Sequence, residues 1–98
     1  MIRHVVMFEW NDDVDGDHVT AAGRALTELA AVIPEVVEYR HGPDLGVNDG
    51  NFDYVVVADF DSVDDYVVYR DHPDHQALIG EYVAGRVARR AAVQYEVS

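Results

Sequence analysis

Two segments of this 98-residue chain, 2–10 and 52–60, alternate in side-chain direction and carry apolar residues on both resulting faces. A period of two residues predicts a β-strand, because successive side chains of a strand point to opposite sides. A strand that is apolar on both sides is covered on both sides in the folded protein. The sequence therefore predicts a sheet with helices on one face and another layer on the other.

A helix is predicted between these two strands. Apolar residues recur at three- and four-residue spacing from a cap at Asp15 or Asp17 to about Ile33, which is the pattern of an amphipathic helix. Pro34 ends this helix, because proline disfavours helical geometry in the residue before it. Alternation then predicts a second strand over residues 35–41, followed by a loop of about ten residues rich in glycine and aspartate.

Two short helices are predicted after the strand at 52–60. Ser62, with Asp65 three residues later, resembles a capping box and begins a helix to about Arg70. Pro73 suits the first turn of the next helix, and Gly85 is a suitable end for it. The apolar stripe of this last helix consists of His75, Leu78, Ile79, Tyr82 and Val83.

With a final strand over 90–97, the order of elements is strand, helix, strand, strand, helix pair, strand. This order predicts an α+β fold, a ferredoxin-like split βαβ with a four-stranded antiparallel sheet, in one domain spanning 1–98. The sheet face away from the helices would be an exposed apolar patch in a monomer, which is typical of an association surface. We therefore expect a homodimer through this open face, whose apolar residues are Val5, Met7, Val55 and Val57.

Composition excludes several classes of function. The formal net charge is −12, which predicts neither nucleic acid nor an anionic membrane as a partner. No cysteine is present, so disulfides, thiolate metal sites and a cysteine nucleophile are excluded. We find no signal-peptide pattern and no apolar run of ~20 residues, and we expect a cytoplasmic protein.

The seven residues from Tyr69 to His75 hold the strongest chemical signal of the chain. They read Tyr-Arg-Asp-His-Pro-Asp-His and contain two of the five histidines. Histidine has an unperturbed pKa of ~6.5 and is suited to proton transfer near neutral pH. His4, on the same face of the first strand as Val6 and Phe8, is expected to converge with His75 between the sheet and the helices.

Three stretches resemble the stress-responsive dimeric α/β-barrel (Dabb) family: residues 2–8, residues 52–63 and, above all, residues 69–75. The resemblance covers essentially the whole chain. It implies that two ferredoxin-like subunits pair into a dimeric α/β barrel. The family includes stress-induced plant proteins without an assigned reaction, and a polyketide cyclase that closes a linear chain by aldol condensation without a cofactor.

The resemblance also implies roles for individual residues. The catalytic base of the polyketide cyclase matches His75, and its catalytic tyrosine matches Tyr69. Its N-terminal strand histidine matches His4, whereas a further pocket histidine is replaced here by Tyr54. We predict His75 and Tyr69 as catalytic residues, with Tyr69 as hydrogen-bond partner of the base, and His4, Tyr54 and His72 as substrate contacts.

Four of these residues also have a plainer interpretation. His75 is alternatively a helix-start histidine bonded to nearby backbone, and His4 a buried histidine bonded to a backbone carbonyl. Tyr69 is alternatively a core aromatic, and His72 a residue that supports the turn before Pro73. A metal site at His72 and His75 lacks a convincing third ligand, so we predict no metal and no cofactor.

Three functions follow from the sequence. The first is a cofactor-independent cyclase or lyase that acts on a β-keto or polyketide-like substrate in an apolar pocket. The second is a non-catalytic stress-response or small-ligand-binding protein. The third is a cofactorless monooxygenase, which is expected by analogy of fold alone.

Overall fold

A computed structural model describes residues 1–98, and its four strands form one antiparallel sheet. The strands lie in the order β2-β3-β1-β4. Their bounds are β1 Ile2–Trp10, β2 Glu38–Pro43, β3 Tyr54–Phe60 and β4 Val87–Glu96. This antiparallel order belongs to the ferredoxin-like split βαβ, so the predicted α+β fold class is confirmed.

The helices begin where the sequence predicted caps. Helix α1 covers Gly16–Val32, and the carboxylate of Asp15 accepts the His18 backbone N–H at 2.8 Å. Helix α2 covers Val63–Asp71, and the Ser62 hydroxyl accepts the Asp65 backbone N–H at 3.2 Å. Each bond satisfies a backbone donor that has no partner within its helix. None of the helices is long and apolar enough to cross a lipid bilayer.

The last predicted helix divides into two parts. Helix α3 covers Pro73–Leu78 and continues as a π-helical turn over Ile79–Val83. Gly85 follows with φ +74°, a left-handed conformation that glycine adopts without steric cost, and the chain then enters β4. π-Helical turns are rare in proteins, and those that occur are frequently found at functional sites.

Three strands start at a different residue from the one that the sequence predicted. Strand β2 begins at Glu38 instead of residue 35, because the chain first turns and Val36 donates to the Ile33 carbonyl at 3.2 Å. Strand β3 begins at Tyr54 instead of residue 52. Strand β4 begins earlier than predicted, at Val87, where it pairs with Trp10 across a register shift. In each case the limit is set by pairing with a neighbouring strand, which local alternation does not report.

The core lies on one face of the sheet, between β1, β3 and the helices. Phe60, Ile33 and Val56 are its largest fully buried side chains, with exposures of 0%, 1% and 2%. The opposite face has no cover within the chain: Val93 is 54% exposed and Tyr95 46%. On that open face, Arg3 donates to both carboxylate oxygens of Asp59, at 2.8 and 2.9 Å.

Two adjacent residues at the end of α1 test the assignment of the core. Ile33 is 1% exposed and Val32 is 56% exposed. We expect Ile33→Val to lower the free energy of unfolding by about 1 kcal/mol, because it removes one buried methylene. Val32→Ala should change it by less than about 0.5 kcal/mol. Urea denaturation measures both values, and equal losses would contradict the burial described here.

Candidate functional site

A cavity of ≈ 250 Å³ lies between the sheet and the helices. It is lined by 18 residues, of which 13 are hydrophobic. Side chains of β1 and β3 form one wall, and α3 with the π-helical turn forms the opposite wall. All five residues of the predicted stripe of the last helix line it: His75, Leu78, Ile79, Tyr82 and Val83.

His75 is held in one orientation at this cavity. Its Nδ1 lies 2.9 Å from the Arg70 carbonyl oxygen, which only accepts, so Nδ1 carries the proton. The other nitrogen, Nε2, is then unprotonated in the neutral ring and is a potential base. Burial lowers the pKa of His75 below 6.5, and the bond to the Arg70 carbonyl partly opposes this shift. His75 is therefore neutral at pH 7.

Tyr69 packs directly against His75, with ring centroids 4.3 Å apart. The side chain is 2% exposed, and its hydroxyl lies 2.8 Å from the hydroxyl of Tyr39 on β2. Burial raises the pKa of Tyr69 to about 12, so the phenol stays protonated. The two predicted catalytic residues are thus brought together by ring contact, whereas the Tyr69 hydroxyl is bonded to Tyr39 instead of His75.

His4 lies on β1, in the same cavity, at 4% exposure. Its ring centroid is 6.3 Å from that of Tyr69 and 5.0 Å from that of Tyr66. The Gln94 side-chain amide donates to His4 Nδ1 at 2.8 Å, so the ring proton is on Nε2. Burial, with a smaller effect of the positive charge of Arg90, lowers its pKa to about 4. His4 is a neutral hydrogen-bond donor at pH 7.

Tyr54 is joined to a histidine that the sequence interpretation did not include in the site. The Thr27 hydroxyl donates to the Gly23 carbonyl, so it accepts from His41 Nε2 at 2.8 Å. His41 Nδ1 therefore accepts from the Tyr54 hydroxyl, at 2.7 Å. Burial lowers the pKa of His41 and raises that of Tyr54, so both stay neutral at pH 7.

The position of His41 was accessible from the sequence in principle. Alternation placed His41 and Tyr39 on one face of β2, and a split βαβ places β2 beside β3. In the structure His41 pairs in register with Val56, two residues from Tyr54. The resemblance implied a pocket histidine at the position of Tyr54. In the structure, a histidine on the neighbouring strand, His41, bonds the hydroxyl of Tyr54 instead.

His72 does not line the cavity. Its Nδ1 accepts the backbone N–H of Asp74 at 3.0 Å and caps α3, which is the turn-supporting interpretation of this residue. No cluster of three or more His, Asp or Glu side chains is arranged to hold a metal ion. The cavity lining does include Arg90 on β4 and Tyr66 on α2, which no motif of the sequence identified.

Comparison with known proteins gives a consistent assignment. Residues 2–97 match the family model described as Stress responsive A/B Barrel Domain (Dabb). A curated relative, a stress-response A/B barrel domain-containing protein of Arabidopsis thaliana, is 29% identical over 84 residues. That alignment covers 85% of this chain and 32% of the Arabidopsis protein, so the chain spans about a third of the length of that relative.

Solved structures share the fold. A dimeric ferredoxin-like protein of unknown function from Thermobifida fusca is 46% identical, with a TM-score of 0.92. The match covers 98% of this chain and 90% of that one. A hydroxynitrile lyase from Passiflora edulis is 19% identical with a TM-score of 0.86, over 99% of this chain and 93% of that one. At that identity the likeness concerns the fold alone.

The protonation of His4 predicts a dependence of stability on pH. Its pKa is about 4 in the folded protein, against 6.5 unperturbed, so the unfolded chain binds more protons between these values. The free energy of unfolding should therefore decrease as the pH falls through this window. His4 contributes about 2 kcal/mol to this decrease between pH 7 and 5. Comparison of chemical denaturation of the wild type and His4→Gln at both pH values isolates this loss. An NMR titration of His4 with a midpoint near 6.5 would contradict it.

Gly23 makes room for the hydroxyl of Tyr54. A Cβ at this position would lie 2.9 Å from that oxygen, which is too close, whereas a Cβ at Gly80 would meet nothing within 4 Å. We expect Gly23→Ala to destabilise by about 1–3 kcal/mol, because Tyr54 has to shift away from His41. Gly80→Ala should be neutral or stabilising, by up to about 1 kcal/mol. Thermal denaturation of the two variants measures both changes in stability. Equal changes would show that the approach of the Tyr54 hydroxyl to position 23 does not affect stability.

Proposed function

The chain belongs to the stress-responsive A/B barrel (Dabb) family, and on that premise we propose that it is a cofactor-independent enzyme of proton transfer. The reaction class is cyclisation or lysis of a β-keto or polyketide-like substrate. The observation that carries this proposal is the hydrogen bond from His75 Nδ1 to the Arg70 carbonyl. It leaves an unprotonated imidazole nitrogen on a residue that lines a largely apolar cavity.

The proposed chemistry follows from the tautomers of the two cavity histidines. His75 Nε2 takes a proton from the carbon next to a carbonyl group; the electron pair of that C–H bond forms the C=C bond of the enolate, and the π pair of the carbonyl moves to its oxygen. His4, with its proton on Nε2, is the donor available to the enolate oxygen. The enolate carbon then attacks a second carbonyl of the same chain, and the His75 imidazolium returns its proton to the new alkoxide.

Tyr69 has a different role in this proposal from the one predicted for it. Its hydroxyl is bonded to Tyr39, and its ring contacts both imidazoles. The ring therefore acts as a wall that sets the positions of His75 and His4 and excludes water. Tyr54 lines another part of the cavity, and its hydroxyl donates a hydrogen bond to His41.

A binding protein without catalysis is the second candidate. The observation in its favour is that the hydroxyls of Tyr69 and Tyr54 are both bonded to protein groups, which leaves fewer free polar atoms for chemistry. In this alternative the same cavity holds a small apolar molecule. The cofactorless monooxygenase stays a prediction by analogy of fold, and oxygen consumption in the presence of an electron-rich phenol is its test.

We also propose that the protein works as a homodimer. The open sheet face carries an apolar cluster that includes Val5, Met7 and Val93, and the similar protein from Thermobifida fusca is dimeric. Contact of this face with a second copy would bury apolar surface that one small domain leaves in water.

Replacement of His75 by asparagine tests the function. Asparagine retains a side-chain N–H for the Arg70 carbonyl and lacks the basic nitrogen. With a 3-oxohexanoyl thioester in D₂O, we expect the wild type to accelerate deuterium incorporation at C2, measured by NMR above the spontaneous rate. His75→Asn should lose about 10²- to 10⁴-fold of that acceleration. The wild-type rate should rise with pH and level off through a pKa below 6.5, because the base is neutral His75.

His72→Asn is the matched control for this variant. Asparagine is a good helix cap and His72 lies outside the cavity, so this variant should exchange at the wild-type rate. Full exchange activity in His75→Asn would disprove the assignment of the base. A wild type that binds the thioester without accelerating exchange would favour the binding protein.

A further inference from the structure

The lining of the cavity has a charge opposite to that of the protein. The chain contains 19 Asp and Glu residues and has a net charge of −12. None of the 18 residues that line the cavity is Asp or Glu, whereas Arg70 and Arg90 are both present. An acidic protein thus encloses a cavity whose only formal charges are positive.

Arg90 is the arginine of this lining that has no protein partner. Arg70 is neutralised by Asp71, to which it donates at 2.9 and 3.1 Å. The other ion pairs of the protein join Arg3, Arg40 and Arg89 to carboxylates, and none includes Arg90. No carboxylate of this acidic protein pairs with the Arg90 guanidinium. This group is therefore available to bind an anionic ligand.

The position of Arg90 brings its charge to the reacting groups. It pairs in register with Phe8 on β1, so it lies on the helix-facing side of the sheet, on which His4 also lies. His4, His75 and Arg90 line the same cavity, and the positive charge of Arg90 lowers the pKa of both imidazoles. An anionic group bound to Arg90 would therefore lie in the cavity that holds the base and the proton donor proposed above.

We propose that the cavity takes an anionic ligand, a carboxylic acid with an apolar body, whose carboxylate binds Arg90. The guanidinium presents planar N–H donors that match the two oxygens of a carboxylate. The largely apolar walls take the hydrocarbon or aromatic part of the molecule. This inference rests on the proposed function for the assignment of the cavity as the substrate site, and it adds a carboxylate as a group that a ligand of this cavity can carry.

Two probes of the same shape separate charge from size. 4-Butylbenzoate carries a carboxylate, and 4-butylbenzamide is its neutral counterpart. We expect the wild type to bind the benzoate about tenfold more tightly than the amide, as measured by calorimetric titration. NMR shifts of His75 and Tyr69 on titration locate the bound probe in the cavity.

Arg90→Gln and Arg89→Gln form a matched pair of variants. The two arginines are adjacent on β4, but Arg89 donates to Glu9 and stacks on Phe52, outside the cavity. Arg90→Gln should bind both probes with similar affinity, whereas Arg89→Gln should retain the preference for the benzoate. Both side chains are exposed, so neither change should prevent folding.

The inference is wrong if the preference survives in Arg90→Gln, if it is lost equally in Arg89→Gln, or if neither probe binds. Its failure is distinguishable from that of the proposed function. A protein that prefers the benzoate through Arg90 but never accelerates deuterium exchange overturns the proton-transfer proposal alone. A protein whose exchange depends on His75, without any preference for the benzoate, overturns the anion site alone.

Discussion

The antiparallel pairing of β1 with β3 is the constraint on which the other features depend. Both strands are apolar on both faces and lie in the centre of the sheet. Their register sets His4 opposite Ala58, and Ala58 also lies opposite Tyr39 of β2. The small side chain of Ala58, fully buried, separates two larger polar residues on the helix-facing side. The Tyr69 ring contacts both of those residues, and this packing builds one wall of the cavity.

Hydrogen bonds within the protein determine the protonation of the site. His75 and His4 each use Nδ1 to bind a protein group, one as donor and the other as acceptor. They therefore present opposite properties at Nε2: a lone pair on His75 and an N–H on His4. Burial keeps both rings neutral at pH 7, since the charged form loses its hydration and the pKa falls. Two residues of one chemical type thus present a hydrogen-bond acceptor and a hydrogen-bond donor, because their partners differ.

Much of the fold could be predicted from the chain alone because its signals are local. The caps at Asp15 and Ser62, and the glycine at Gly85, lie where the sequence predicted them. Strand limits were predicted less well, since pairing with neighbours sets them. Of the residues that line the cavity, His75 was singled out by its motif, and its catalytic role stays a prediction. The partner of Tyr54 was missed, because His41 meets it only through the sheet order.

The sequence by itself determined the element order, the amphipathic faces, the fold class and the family, because periodicity, capping and motif spacing act over a few residues at a time. Only the tertiary structure decided that Tyr69 bonds Tyr39, that Gln94 orients His4, and that Arg90 remains unpaired at the cavity. Those contacts join residues up to 90 positions apart. They depend on strand register and on the seating of α3 against the sheet, and no local pattern in the chain encodes either one.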